Sequence, residues 1–115
     1  MEYTLSPDVG KPISKKTADK WLKNHEEKHP AKDSIRAHFF GSDIINQVLA
    51  QDGCVGMRIY YATNDEGVKQ LLLVGAREDG SNIWPDGNSD EDGENATGGL
   101  IVDASTTCPP FCPKN

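Results

Sequence analysis

The sequence predicts an α+β fold, with two or three N-terminal helices packed on an antiparallel meander of three or four strands. Three observations carry that prediction. Apolar residues recur three and four apart over residues 15–49, the spacing of one helical face. They alternate with period two over residues 54–62, the pattern of a half-buried strand. Helices come first and strands afterwards, without the βαβ alternation that a parallel sheet requires.

The elements follow in order. Residues 1–13, with Pro7, Gly10 and Pro12, read as an irregular lead-in. Ser14 is a candidate N-cap, its hydroxyl placed to accept from the free amides of a helix starting at Lys15. Ala18, Trp21, Leu22, His25 and His29 share one face of that helix, and Pro30 ends it by biasing His29 away from helical angles. A second helical stretch is expected after Asp33 or Ser34, with Ile35, His38 and Phe39 on one side. Gly41 breaks it, and Ser42 is expected to cap a third piece carrying Ile44, Ile45, Val48 and Leu49.

Val55, Met57, Ile59 and Tyr61 then alternate with Gly56, Arg58 and Tyr60. The tetrad Asn64-Asp65-Glu66-Gly67 predicts a hairpin turn into a returning strand over residues 68–76. The continuous apolar run Leu71-Leu72-Leu73-Val74 marks that strand as central and covered on both faces. Asp79-Gly80 predicts another tight turn before Ile83-Trp84, and Leu100-Ile101-Val102 a last strand leading into the tail. Residues 85–99, rich in Asp, Glu, Asn and Gly, are too polar to offset the entropy of ordering and predict a mobile loop. The 115 residues are expected to form one domain, closed by a Cys/Pro-rich tail over residues 106–115.

Eighteen acidic against twelve basic residues give a formal net charge of −6. That balance argues against a nucleic-acid partner, which requires a basic footprint, and against an anionic membrane surface. No stretch approaches the roughly 20 apolar residues of a membrane span. The first eight residues carry neither the basic start nor the apolar run of a signal peptide, so the expected location is cytoplasmic with reduced thiols. The sequon Asn95-Ala96-Thr97 has no role there.

Four groups of residues carry candidate chemistry. His25-Glu26-Glu27-Lys28-His29 satisfies H-E-x-x-H, in which two histidines one turn apart hold zinc and the glutamate activates water. Charged Glu27 and Lys28 inside the motif, and Pro30 directly after it, favour instead the wet margin of a surface helix. Asn88-Ser89-Asp90-Glu91-Asp92-Gly93 has the opening cadence of a calcium loop, but its twelfth position is Gly99 where a bidentate glutamate is required. Arg58, Tyr60, Arg77 and Trp84 are expected to share one sheet surface, a composition that suits protein contact.

The fourth group is Cys108-Pro109-Pro110-Phe111-Cys112-Pro113. Over these six residues the chain resembles the Cys-Pro-x-x-Cys-Pro motif of the Sco family of copper chaperones. The resemblance implies two thiolates and a distant histidine, supplied by His25, His29 or His38, binding copper on a thioredoxin-like fold. Soft thiolates suit Cu(I) or Zn(II). Two plainer readings stand beside it: a stiff proline end that packs Phe111 against the body, and a small Cys108–Cys112 disulfide, which a reducing cytoplasm disfavours. Cys54 reads as a buried small hydrophobe, or as a third thiolate if the fold brings it beside the tail.

With no complete catalytic constellation, the sequence favours a non-enzymatic binding or regulatory module that meets a protein partner and needs no cofactor. Its surface residues would be Arg58, Tyr60, Arg77, Trp84 and Phe111. The alternative is a thiol-dependent protein binding Cu or Zn, or acting in redox, through Cys108 and Cys112, with Cys54, His25 and His29 as further ligands.

Overall fold

A computed structural model describes residues 3–85 and 98–114. The fold is α+β: among the described residues there are two helices, a three-stranded antiparallel meander and a two-stranded antiparallel ribbon. The chain gathers into two compact units, one from Met1–Val9 with Phe40–Ser105, the other from Gly10–Phe39 with Thr106–Asn115. We refer to them as the sheet unit and the ribbon unit.

The ribbon unit opens with α1 (Lys15–Lys28). Ser14 caps it as expected: its Oγ accepts from the Thr17 amide at 3.1 Å, satisfying one of the first-turn donors. His29 is the C-cap, its amide donating to the carbonyls of His25 and Glu26, and Pro30 follows. No residue of α1 is buried, and Trp21 and Leu22 remain 59% and 61% exposed.

The helix expected after Ser34 is absent. Residues Ala37–Phe39 form a strand, β1, paired antiparallel with Thr106–Cys108, β5 in chain order. Ala37 stands opposite Cys108 and His38 opposite Thr107, and the Arg36 amide donates to the Cys108 carbonyl at 2.7 Å. Three residues make less than one helical turn, whereas pairing with the tail satisfies their backbone groups at once.

In the sheet unit, α2 (Ser42–Leu49) is capped by Gly41 without a side-chain hydrogen bond, so Ser42 is its first residue and not its cap. The ladder comprises β2 (Cys54–Thr63), β3 (Lys69–Arg77) and β4 (Ile101–Val102) in the order β2-β3-β4, with β3 central. The turn between β2 and β3 matches the Asn-Asp-Glu-Gly signal. Asn64 Oδ1 accepts from the amides of Glu66 and Val68, and Gly67 takes φ +83°, a left-handed value that side chains resist.

Val48, Leu73 and Val102 form the centre of the core, with Phe40, Ile44, Ile45 and Met57 packed around them. The apolar stripe of α2 therefore lies on the sheet face carrying Met57 and Leu73. Gly75 on β3 admits a close neighbour: a Cβ there would meet Gln51 Nε2 at 2.9 Å and Cys54 Sγ at 3.0 Å. Gln51, seated in that space, accepts from the Leu100 amide at 3.1 Å through Oε1 and so ties the approach to β4 back to the end of α2. Among the described residues no helix is long and apolar enough to cross a membrane.

Candidate functional site

The sheet face opposite α2 carries the densest side-chain network. Arg58 and Tyr60 pair across from Val74 and Leu72, one strand position out of phase with Met57 and Leu73, and so project from the other face. Arg58 Nη1 donates to the Gly80 carbonyl at 3.0 Å and to Asn82 Oδ1 at 2.6 Å, and Nη2 reaches Tyr3 Oη at 3.4 Å. Asn82 Nδ2 donates to Tyr60 Oη at 2.6 Å, and the Tyr60 ring stacks on Trp84 with centroids 5.9 Å apart. Asn82 thus joins the guanidinium to the aromatic pair. An isolated bridge between Ala76 and Asn82 fixes it there by continuing the β3 ladder past the Asp79-Gly80 turn.

Three of the four expected surface residues come together: Arg58, Tyr60 and Trp84. Arg77 does not join them. It lies three positions from Val74 on the same strand and so points from the other face, its Nη1 donating to the Asn82 carbonyl at 3.0 Å and Ser81 Oγ at 3.4 Å. Tyr3 and Asn82 belong to the network and carried no signal in the sequence, since each meets Arg58 only through folding. The adjoining turn is tightened by Asp79, whose carboxylate accepts from Ser81 Oγ at 2.6 Å and from the Ser81 amide at 2.9 Å. Those bonds, the side-chain one first, hold its carboxyl below the ordinary value of 3.8.

Beside this network runs the edge of the sheet. β2 is ten residues long and pairs with β3 on one side; among the described residues no strand pairs with its other side. Ile59, Tyr60 and Tyr61 are exposed, Tyr61 to 94%. The lead-in returns near this edge, where the Leu5 amide donates to the Glu78 carbonyl at 2.8 Å. Between them lies a groove of about 380 Å³, lined by Leu5, Pro7, Val9, Val55, Arg58 and Ile59.

In the ribbon unit, Cys108 and Cys112 are joined in a disulfide with their Cα atoms 4.7 Å apart. The expectation of reduced thiols is corrected there. The chain turns back after β5, as the Phe111 amide donates to the Thr107 carbonyl and Thr107 Oγ1 to the Pro109 carbonyl, both at 2.9 Å, and this brings the sulfurs together. Both Cys108-Pro109 and Pro109-Pro110 are cis. A disulfide offers no thiolate to a metal, and all strand pairings described are antiparallel, unlike the thioredoxin-like arrangement the copper-chaperone resemblance implied. Phe111 is 71% exposed, not packed against the body. Cys54 is half-buried and free, its Sγ 3.1 Å from the Gly56 carbonyl.

His25 and His29 lie one turn apart with ring centroids 4.4 Å apart, and Glu26 stands 4.0 Å from Arg36 Nη1. Among the described residues no three His, Cys, Asp or Glu side chains form a group able to hold a metal. The calcium-like cadence at residues 88–93 and the acidic segment, residues 86–97, lie outside the described residues.

Charge divides sharply. The segments of the ribbon unit hold nine basic and four acidic residues, and those of the sheet unit three basic and fourteen acidic. The net charge of −6 therefore averages two opposite balances. Comparison with family models, curated proteins and solved structures finds no match to this chain.

Proposed function

We propose that the protein is a non-enzymatic binding module that receives an extended segment of a protein partner along the open edge of β2. The observation that carries the reading is that edge: ten residues of strand paired on one side only among the described residues, beside an apolar groove. Unpaired strand edges present a row of amides and carbonyls that a second chain can complete, and side-chain pockets beside them supply selectivity. Arg58, Tyr60 and Trp84 supply the aromatic and guanidinium surface, held in place by Asn82 before any partner arrives. The acidic balance of the sheet unit's segments favours a partner segment carrying Lys and Arg, and disfavours nucleic acid. The reading needs no cofactor and places the module in the cytoplasm.

The test is a pair of edge variants, Ile59→Lys and Tyr61→Lys, which put charge on side chains that are 55% and 94% exposed. Wild-type protein should capture its partner from host extract, with amide protection appearing along Cys54–Thr63 on binding. Both variants should keep the native circular dichroism and lose capture by roughly tenfold or more. Equal capture by variant and wild type, or protection elsewhere only, would remove the edge from the account.

A further inference from the structure

We propose that the Cys108–Cys112 cystine is a thiol–disulfide exchange site, attacked at Cys112 by the thiolate of a small anionic thiol. The two halves of the cystine differ in access: Cys108 is 7% exposed within the β1–β5 ribbon, whereas Cys112 lies on the exposed turn that follows. Exchange requires a thiolate to approach a disulfide sulfur, so access decides which sulfur is attacked and which leaves. A cavity of about 480 Å³ adjoins the bond, lined by His38, Phe39, Cys108, Phe111, Cys112 and Pro113, with both phenylalanines largely exposed. That is an apolar seat beside a reachable sulfur.

The electrostatics of the unit point the same way. Its segments hold nine basic against four acidic residues, a balance that draws in anions.

The chemistry balances in two steps. The incoming thiolate forms a bond to Cys112 Sγ as the Cys108–Cys112 bond breaks, and Cys108 departs as a thiolate. A second thiolate then attacks the external sulfur of the mixed disulfide, forming the external disulfide and releasing Cys112 as a thiolate. The two protein thiolates take up the two protons given by the incoming thiols. Two external thiols are oxidised by two electrons, and the cystine is reduced by two.

Glutathione is the probe, in a Cys54→Ser background so that only the tail reacts. Cys108→Ser and Cys112→Ser variants are each treated with oxidised glutathione, and the mixed disulfide is timed by intact mass and located by peptide mapping. The Cys108→Ser protein should form it at Cys112 at least about tenfold faster than the Cys112→Ser protein forms it at Cys108. The protein with both tail cysteines, in millimolar reduced glutathione, should lose its disulfide and expose two alkylatable thiols. Equal rates, faster reaction at Cys108, or a cystine that stays closed under reduced glutathione would each overturn the proposal. None of these outcomes bears on the edge-binding reading, whose variants lie in β2.

Discussion

The two units are held together by different means. The sheet unit has a conventional core in which Val48, Leu73 and Val102 are almost wholly removed from water and Gln51 bridges from the end of α2 to Leu100. The ribbon unit has only Cys108 as a buried hydrophobic residue among those described, and its helix has half-buried residues but no buried one. What holds the ribbon is a three-residue ladder, a cap and a covalent bond. Hydrophobic burial dominates stability where there is enough apolar surface to bury, and cross-links take over where there is not. The comparison teaches that the same 115 residues stabilise two units by two mechanisms, and each should fail to its own perturbation.

The largest effect is expected in the core. Leu73→Ala should cost about 3 kcal/mol of sheet-unit stability, as removal of a buried branched side chain leaves a cavity. Each unit contains one of the two tryptophans, Trp84 in the sheet unit and Trp21 in the ribbon unit, so Trp21→Phe leaves fluorescence that reports the sheet alone. Urea unfolding in that background reads the loss directly. Trp21→Phe itself, on an exposed helix face, should change stability by less than about 0.5 kcal/mol.

Next comes the cystine. Replacing both Cys108 and Cys112 by Ser should free the ribbon by about 2 kcal/mol, the closure entropy of so short a loop, while the urea midpoint seen through Trp84 stays put. A shift of that midpoint as large as Leu73→Ala produces would break the comparison.

Both of these effects rest on features of unequal legibility. The sheet unit could be read from its sequence because its signals are local. Alternation along β2, the Asn64-to-Gly67 turn and the apolar run of β3 are all complete within residues 54–77. The ribbon could not. Ile35, His38 and Phe39 mimic helical spacing over a few residues, and the strand that holds His38 and Phe39 finds its partner only at Thr106–Cys108. Strand pairing at such separation leaves no periodic trace, so β1 was hidden and β5 looked like tail. Arg58, Tyr60 and Trp84 were visible as residue types, but Asn82, which joins them, and Tyr3, 55 positions from Arg58, meet them only in the fold. The charge division was hidden for a related reason: the basic unit is assembled from two separate segments.

A smaller effect sharpens the sheet side. Arg58→Ala should cost about 1 kcal/mol, since it removes charge-assisted bonds to Gly80 and Asn82 at a half-buried position. It should also loosen the Tyr60–Trp84 stack, seen as a change in near-ultraviolet circular dichroism. The smallest effect is at Asp79. Its carboxyl is more acidic folded than unfolded, so the folded state binds fewer protons. The stabilisation is complete above the ordinary value of 3.8 and disappears as pH falls through the lowered one. Asp79→Asn should therefore flatten the acid side of the stability profile and leave stability nearly unchanged in acid, with only a slight loss near neutrality, because the group is fully exposed.

The most direct test of two units with two means of support is residue-resolved amide exchange on oxidised and reduced protein. On reduction, the amides of Ala37–Phe39 and Thr106–Cys108 should lose protection while those paired between β2 and β3 keep theirs. Loss of protection in both sets together, or in neither, would contradict the account.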